Sequence, residues 1–369
     1  MKDNKTYRIM ISGGGTGGHI YPAIAIANAW KEKHPATEIL FVGAEGKMEM
    51  QKVPEAGYRI EGLPVAGFQR NLSLSNLSFP FKLMKSLNRS KTLLKEFKPD
   101  AVVGVGGYAS GPLLFMAQRN GIPSLIQEQN SYAGLTNKLL AKRADKICVA
   151  YPHMEKFFPA DKIQYTGNPV RKDILFLEGK KEKALAHFNL DHGRKVVLVL
   201  GGSLGARTIN QAVLADMEAL EQGGYQVLWQ SGKFYFNDMQ SKVASSGLRH
   251  IHVLEFIKEM DLAYAAADMV VSRAGALSVS ELSLVGRPVV FIPSPNVAED
   301  HQTKNAMAYV EAGAALLLKD AEAVGKLKST IDDLLADQVK ASQMSENIKK
   351  LAKPEAAKEI VEALESIIG

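Results

Sequence analysis

The chain has 369 residues, 46% hydrophobic and 23% charged, with a formal charge of +6. Those values exclude a disordered or fibrous chain and leave room for two globular domains, each with its own core. The single cysteine, Cys148, excludes an internal disulfide framework and a metal–thiolate cluster, and within Ile147-Cys148-Val149-Ala150 it reads as a buried core thiol.

The chain enters a strand almost at once, at Arg8 to Ile11. No apolar stretch precedes it that could serve as a signal peptide, and no later run is long enough to span a bilayer. A cytoplasmic protein is expected, and its positive charge fits nucleic acid, an anionic membrane or a phosphorylated substrate. After the strand comes Gly13-Gly14-Gly15-Thr16-Gly17-Gly18-His19, then a helical pattern from Ile20 to Lys33. Further strands are predicted at Glu38 to Gly43, Ala101 to Gly107, Ser124 to Gln127 and Lys146 to Ala150. Apolar runs without polar alternation are those of parallel strands covered on both faces, so a doubly wound α/β domain is expected to about Tyr165.

One stretch departs from that pattern. From Leu72 to Lys98, leucines and phenylalanines alternate with Lys82, Lys85, Arg89, Lys91, Lys95 and Lys98, with Glu96 the only acid among them. That is the composition of a surface helix at an anionic bilayer; the alternative is a core helix with solvated lysines. A polar, lysine-rich segment from Glu178 to Arg194 then reads as a linker. Strands are predicted again at Lys195 to Leu200, Gln226 to Gln230, His250 to Leu254, Met269 to Ser272 and Pro288 to Ile292. Met344 to Ile368 reads as one or two closing helices interrupted at Pro354. The second half repeats the glycine turn, as Gly201-Gly202-Ser203-Leu204-Gly205-Ala206. Two such turns suggest two Rossmann-like domains with parallel sheets facing a deep cleft, one domain for each substrate.

Gly13, Gly15 and Gly18 match the spacing of a dinucleotide turn. The next strand, however, ends Phe41-Val42-Gly43, without the acid expected about 20 residues on, and no Lys-Ser/Thr pair marks a P-loop. The turn reads as phosphate-facing without implying NAD. His19 opens the following helix, where an imidazole can accept a proton from a hydroxyl; hydrogen bonding or capping is the alternative. The loops Gly104 to Pro112 and Gln127 to Ser131 follow strands and should border the same crevice. In the second half Ser203 and Arg171 can meet a phosphate, and Ser272 to Glu281 forms another nest. Glu281 can accept the vicinal hydroxyls of a ribose, or can be a first-turn surface glutamate. No Asp-x-Asp or paired-histidine metal site is visible.

Gly13 to His19, Gly104 to Pro112, Gln127 to Asn130, Gly167 to Arg171, Gly201 to Ala206, Ser272 to Glu281 and His301 to Ala306, in this order over nearly the whole chain, resemble the bacterial MurG family. Its members transfer N-acetylglucosamine to lipid I in peptidoglycan synthesis. The resemblance implies a GT-B fold. It divides the chain into an acceptor and membrane-association domain, 1–165 with the helix 350–369 packed back on it, and a UDP-GlcNAc-binding domain, 166–349. It also implies attack by the C4 hydroxyl of MurNAc with inversion, giving lipid II and UDP with no cofactor and no metal.

On the same resemblance, His19 and Asn130 are the catalytic candidates, and Thr16, Gly17, Gly18, Tyr108 and Asn130 bind substrate on the first domain. Arg171, Ser203, Ala276, Leu277 and Ser278 would meet the donor diphosphate, Glu281 the ribose, Gln302 the GlcNAc, and the backbone near Phe256 and Ile257 the uracil. Leu77, Phe79, Phe81, Lys82, Leu83, Lys85, Leu87 and Arg89 would meet anionic inner-leaflet lipids at the cytoplasmic face of the cell membrane. Cell-wall synthesis and division proteins are the implied partners. His301 and Leu204 depart from the family pattern, which often has Gln and a polar residue there. A UDP-GlcNAc 2-epimerase, another GT-B glycolipid transferase or a sugar-nucleotide-binding scaffold are the alternative readings. Nucleic acid is disfavoured because the basic residues are interleaved with leucine and phenylalanine.

Overall fold

A computed structural model of the chain describes residues 6–65 and 79–368. It forms two compact units, Met1–Val170 with Pro354–Gly369, and Arg171–Lys353. In the first, the strands are β1 (Arg8–Gly13), β2 (Glu38–Ala44), β3 (Arg59–Leu63), β4 (Ala101–Gly106), β5 (Ser124–Glu128), β6 (Lys146–Val149) and β7 (Ile163–Tyr165). They form one sheet in the order β3-β2-β1-β4-β5-β6-β7 among the described residues, with every pairing parallel. The central strands carry the uninterrupted apolar runs: Ile9, Ile11, Val103 and Val105 are all buried. Helices cover both faces, and covered parallel strands select such runs.

The second unit repeats the plan with β8 (Lys195–Leu200), β9 (Tyr225–Gln230), β10 (Ile251–Leu254), β11 (Met269–Ser272), β12 (Val289–Phe291) and β13 (Leu316–Leu317). Their order is β10-β9-β8-β11-β12-β13, again parallel throughout. Its core gathers Val197, Val199, Ile209, Val271 and Trp229. The Trp229 indole N–H donates to Asn210 Oδ1 at 3.0 Å, so the ring is buried without an orphaned donor.

The chain returns to the first unit at its end. The helix Ala356–Ile368 spaces Ile360, Val361, Leu364 and Ile368 along one face, the period of an amphipathic helix. Ile360, Val361, Ala363 and Leu364 enter the core that holds Trp30 and Ile26 of the first helix, Gly17–Lys33. Each fully buried isoleucine, valine or leucine among them contributes roughly 1.5–3 kcal/mol. At the rim Glu365 accepts hydrogen bonds from Lys33 and His34, both 2.6 Å.

The unit boundaries fall at Val170/Arg171 and Lys353/Pro354 rather than at 165/166 and 349/350. Asn168 is the reason for the first: it donates to the Gln129 carbonyl at 3.0 Å and accepts from Gln127 Nε2 at 2.9 Å, which ties the segment to β5. At the second, the helix Gln338–Lys350 buries Met344 and Ile348, and the Lys349 stem packs on Gly286 of the second unit.

The rim contact yields a pH-dependent prediction. Burial pushes the Glu365 carboxyl up, but hydrogen bonds from Lys33 and His34 outweigh it and hold the group below its ordinary value of 4.5. A depressed carboxyl adds stability above its unfolded value and loses it as pH falls through the folded one. Glu365→Gln is therefore expected to cost about 1 kcal/mol at pH 7, a fall of about 2–4 °C in Tm. The gap from wild type should narrow as pH drops below 4.5. Thermal melts across that range check it; a gap that stays constant would assign the effect to packing instead.

Candidate active site

In each sheet the strand order reverses once, between β1 and β4 and between β8 and β11. Loops leaving those neighbouring strands diverge and open a crevice at the carboxyl ends, the usual ligand position of a doubly wound sheet. In both units the loops at the reversal are the glycine turns and nests picked out in the sequence.

In the first unit the two turns touch through backbone. The Gly14 N–H donates to the Gly106 carbonyl at 3.3 Å. Gly106 and Gly107 have φ of +97° and +89°, and a Cβ on Gly107 would strike the Gly14 carbonyl, so neither position admits a side chain. His19 Nδ1 lies 3.0 Å from the Gly14 carbonyl oxygen. A carbonyl only accepts, so Nδ1 carries a proton, and in the neutral form of the ring the lone pair is on Nε2. The ring lies over Gly106, where a Cβ would come within 2.9 Å of Nε2.

A residue that sequence reasoning missed holds this turn. Glu49 is 0% exposed, and its carboxylate accepts from the Gly15 N–H at 2.9 Å and the Ala44 N–H at 3.0 Å. This narrows the phosphate-facing turn. Gly14 and Gly15 direct their N–H groups inward, and the His19 and Ile20 N–H groups return to the Thr16 carbonyl. Gly17 and Gly18, in the first turn of the helix, are the positions whose N–H groups have no carbonyl within the helix to use. Thr16 precedes them with extended backbone and makes no capping bond with its side chain. In sequence Glu49 is one acid among Lys47 and Lys52, with nothing to mark it as buried.

A second buried carboxylate, Glu128, holds Asn130. It accepts from the Asn130 N–H at 3.1 Å, Asn130 Nδ2 at 3.3 Å, the Gly134 N–H at 3.0 Å and Asn137 Nδ2 at 2.8 Å. Tyr108 stands exposed beyond the Gly106–Gly107 turn.

In the second unit Arg171 and Glu281, expected on different parts of a ligand, form an ion pair, with Nε 3.6 Å from Oε1. Tyr264, another residue the sequence did not flag, donates its hydroxyl to Glu281 Oε2 at 3.0 Å. Burial raises the Glu281 carboxyl above its ordinary range, against the pull of the Arg171 charge and the Tyr264 hydrogen bond. Ser203 is exposed in its turn, and the Ser203 carbonyl accepts from the Lys233 N–H at 3.1 Å. Ala276, Leu277 and Ser278 form the first turn of the helix Ala276–Val285, the helix end that favours an anion. Arg273, inside the same nest, is structural: it turns to Asp320 and to the Ile292 carbonyl. Gln302 Oε1 accepts from the Ser294 N–H at 2.9 Å, which ties the loop after β12 to the following helix. The Ile257 N–H is donated to buried Gln230 at 2.9 Å, and the exposed neighbour is Phe256.

The helix Phe79–Phe97 shows two characters. Its later turns are core, with Ser90, Leu93 and Leu94 buried. Its first turns expose Phe81 (75%), Met84 (59%) and Leu83 beside exposed Lys82 and Lys85. Phe79 and Leu87 are half-buried, and Arg89 is paired with Glu61 at 2.9 Å. Leu77, with Leu72 and Leu74, lies outside the described residues. Among the described residues no helix is long and apolar enough to cross a membrane.

Comparison with known proteins matches residues 9–149 to the glycosyltransferase family 28 N-terminal domain and 196–360 to its C-terminal domain. A Flavobacterium psychrophilum protein is 54% identical over 362 residues, covering 98% of each chain. It is named UDP-N-acetylglucosamine–N-acetylmuramyl-(pentapeptide) pyrophosphoryl-undecaprenol N-acetylglucosamine transferase. A protein of the same name from Phocaeicola vulgatus is 56% identical over 351 residues, 95% of this chain and 93% of that one. The crystal structure of Acinetobacter baumannii MurG superposes with a TM-score of 0.78 at 28% identity, covering 98% of this chain and 100% of that one.

Glu49 gives the site's stability test. Glu49→Ala strands two N–H groups in a buried setting, each worth roughly 1–3 kcal/mol. Urea unfolding should show a loss of about 2–4 kcal/mol, and amide exchange at Gly15 should accelerate. Unchanged exchange at Gly15 would mean that the carboxylate does not hold the turn.

Proposed function

The chain belongs to the MurG family of glycosyltransferases, and from that premise we infer its reaction. It is a GT-B enzyme that transfers N-acetylglucosamine from UDP-N-acetylglucosamine to N-acetylmuramyl-(pentapeptide) pyrophosphoryl-undecaprenol, converting lipid I to lipid II and releasing UDP. The observation that carries this reading is full-length similarity, at 54% identity over 98% of both chains, to a transferase of that name. The same similarity favours transfer over epimerisation of UDP-GlcNAc.

The mechanism assigns acceptor chemistry to the first unit and donor chemistry to the second. The C4 hydroxyl of MurNAc gives its proton to His19 Nε2, the ring atom left with a lone pair by the Nδ1–Gly14 hydrogen bond. The oxygen forms its bond to the anomeric carbon of GlcNAc from the face opposite the diphosphate. The bond to the diphosphate oxygen breaks with its electron pair, UDP departs, and the configuration inverts. The Gly17 and Gly18 N–H groups, with Thr16, face the acceptor's anionic end; Asn130, held by Glu128, and Tyr108 flank its sugar. On the donor side the first-turn N–H groups of Ala276, Leu277 and Ser278, with Ser203 and Arg171, stabilise the charge that grows on the leaving diphosphate. Glu281 takes the ribose hydroxyls, Gln302 the GlcNAc, and the backbone near Phe256 and Ile257 the uracil.

Such an acceptor keeps its polyprenyl tail in a bilayer. Phe81, Leu83 and Met84, rimmed by Lys82 and Lys85, supply an apolar tip with cationic flanks for the cytoplasmic face of an anionic membrane. Each lysine near such a surface adds about 1 kcal/mol. Docking there would bring the enzyme to the cell-wall synthesis and division proteins expected as its partners.

UDP release measured with and without a lipid I analogue, with GlcNAc followed by mass, tests the reaction. Release and transfer should require the acceptor. UDP release together with ManNAc in its absence would replace transferase by epimerase. His19→Ala should lower kcat about 10²–10⁴-fold with little change in the KM for UDP-GlcNAc; an unchanged kcat removes His19 as the base. Phe81→Asp should reduce sedimentation with vesicles containing phosphatidylglycerol while leaving the melting curve unaltered. Retained sedimentation would mean that this helix is not the membrane contact.

A further inference from the structure

Tyr264 lies behind Glu281 in the second unit. It sits on the helix Met260–Ala266, is 1% exposed, and donates to Glu281 Oε2 at 3.0 Å. The other oxygen, Oε1, faces Arg171, whose guanidinium also lies 3.7 Å from Asp173. The Glu281 side chain is 16% exposed, so its charge depends on the partners that surround it. The two partners differ in kind. Arg171 is a long, partly exposed side chain able to change partner, whereas the Tyr264 ring is locked in the core. If Arg171 moves to the donor diphosphate, Oε1 loses its cation just as a ribose arrives. Oε2 keeps its partner.

We propose that Tyr264 is the positioning residue for ribose recognition: it pins Glu281 Oε2 so that Oε1 can exchange Arg171 for the ribose hydroxyls. The inference rests on the reading of Glu281 as the ribose ligand. Burial and the neighbouring carboxylate hold the Tyr264 phenol well above its ordinary value, so its hydroxyl remains a donor throughout the working pH range. The arrangement links the two ends of the nucleotide, because taking the diphosphate frees the oxygen that takes the ribose.

Binding of UDP and of 2′-deoxy-UDP to the full chain, by calorimetry, is the test. Wild type should prefer UDP by about tenfold or more, the scale of a hydrogen bond to a charged group. Tyr264→Phe keeps the ring and removes the hydroxyl, and the preference should fall several-fold, with 2′-deoxy-UDP, which keeps only the 3′ hydroxyl, weakened less than UDP. A purely structural role would weaken both nucleotides alike and leave their ratio intact, which would overturn the proposal. Glu281→Ala is measured in parallel. A wild-type ratio there would sink the ribose reading of Glu281 itself, whereas a collapsed ratio there with an intact one in Tyr264→Phe would sink the role of Tyr264 alone. If circular dichroism shows that Tyr264→Phe does not fold, 3-fluorotyrosine installed at position 264 keeps ring and hydroxyl and strengthens the donor. The ratio should then shift from wild type, and an unchanged ratio would overturn the assignment.

Discussion

Every backbone N–H in a tight glycine turn must find an acceptor or face outward, and in the first unit that constraint selects the groups left for a ligand. Gly14 is spent on Gly106 and Gly15 on Glu49. The outward-facing work falls to Gly17 and Gly18 at the start of the helix. The same bookkeeping sets the histidine: the Gly14 carbonyl takes the Nδ1 proton, so the basic nitrogen is Nε2. A buried carboxylate behind the turn thus fixes the direction of the Gly15 peptide group and ties it to the end of β2 at Ala44.

The two units use buried carboxylates in opposite ways. Glu49 and Glu128 spend their oxygens on backbone and side-chain amides, and such contacts make rigid frames. Glu281 has one locked neutral partner, Tyr264, and one cationic partner, Arg171. A neutral hydrogen bond orients without cancelling charge, while an ion pair can be traded for another anion at modest cost where it is partly exposed. The first arrangement suits a loop that must hold its shape. The second suits the proposed recognition of a ribose and a diphosphate together.

The sequence was most legible where burial is complete. The central strands β1, β4, β5, β8 and β11 were readable from their apolar runs because helices cover both of their faces. The strands it did not show, β3, β7 and β13, all lie at sheet edges. There Arg59–Leu63, Ile163–Tyr165 and Leu316–Leu317 are only partly buried, so no continuous apolar run is required of them. The helix Phe79–Phe97 was legible only as a choice between a membrane-surface helix and a core helix. Its leucines look alike in sequence, yet Leu93 and Leu94 are core and Leu83 is exposed, a distinction that depends on what packs alongside.

By itself the sequence determined the α/β plan, the glycine turns at the strand ends and the candidates His19, Arg171 and Glu281, while Asn130 came with the family resemblance. Those depend on local chemistry: apolar periodicity, positive φ and side-chain type within a few residues. The tertiary structure alone decided that Glu49 packs behind the first turn, that Tyr264 bonds Glu281 and that Arg171 meets Glu281; the return of the last helix to the first unit was expected only from the family resemblance. Each of those joins residues far apart in the chain. Burial turns an ordinary glutamate or tyrosine into a positioning group, and burial is a property of the fold rather than of the residue.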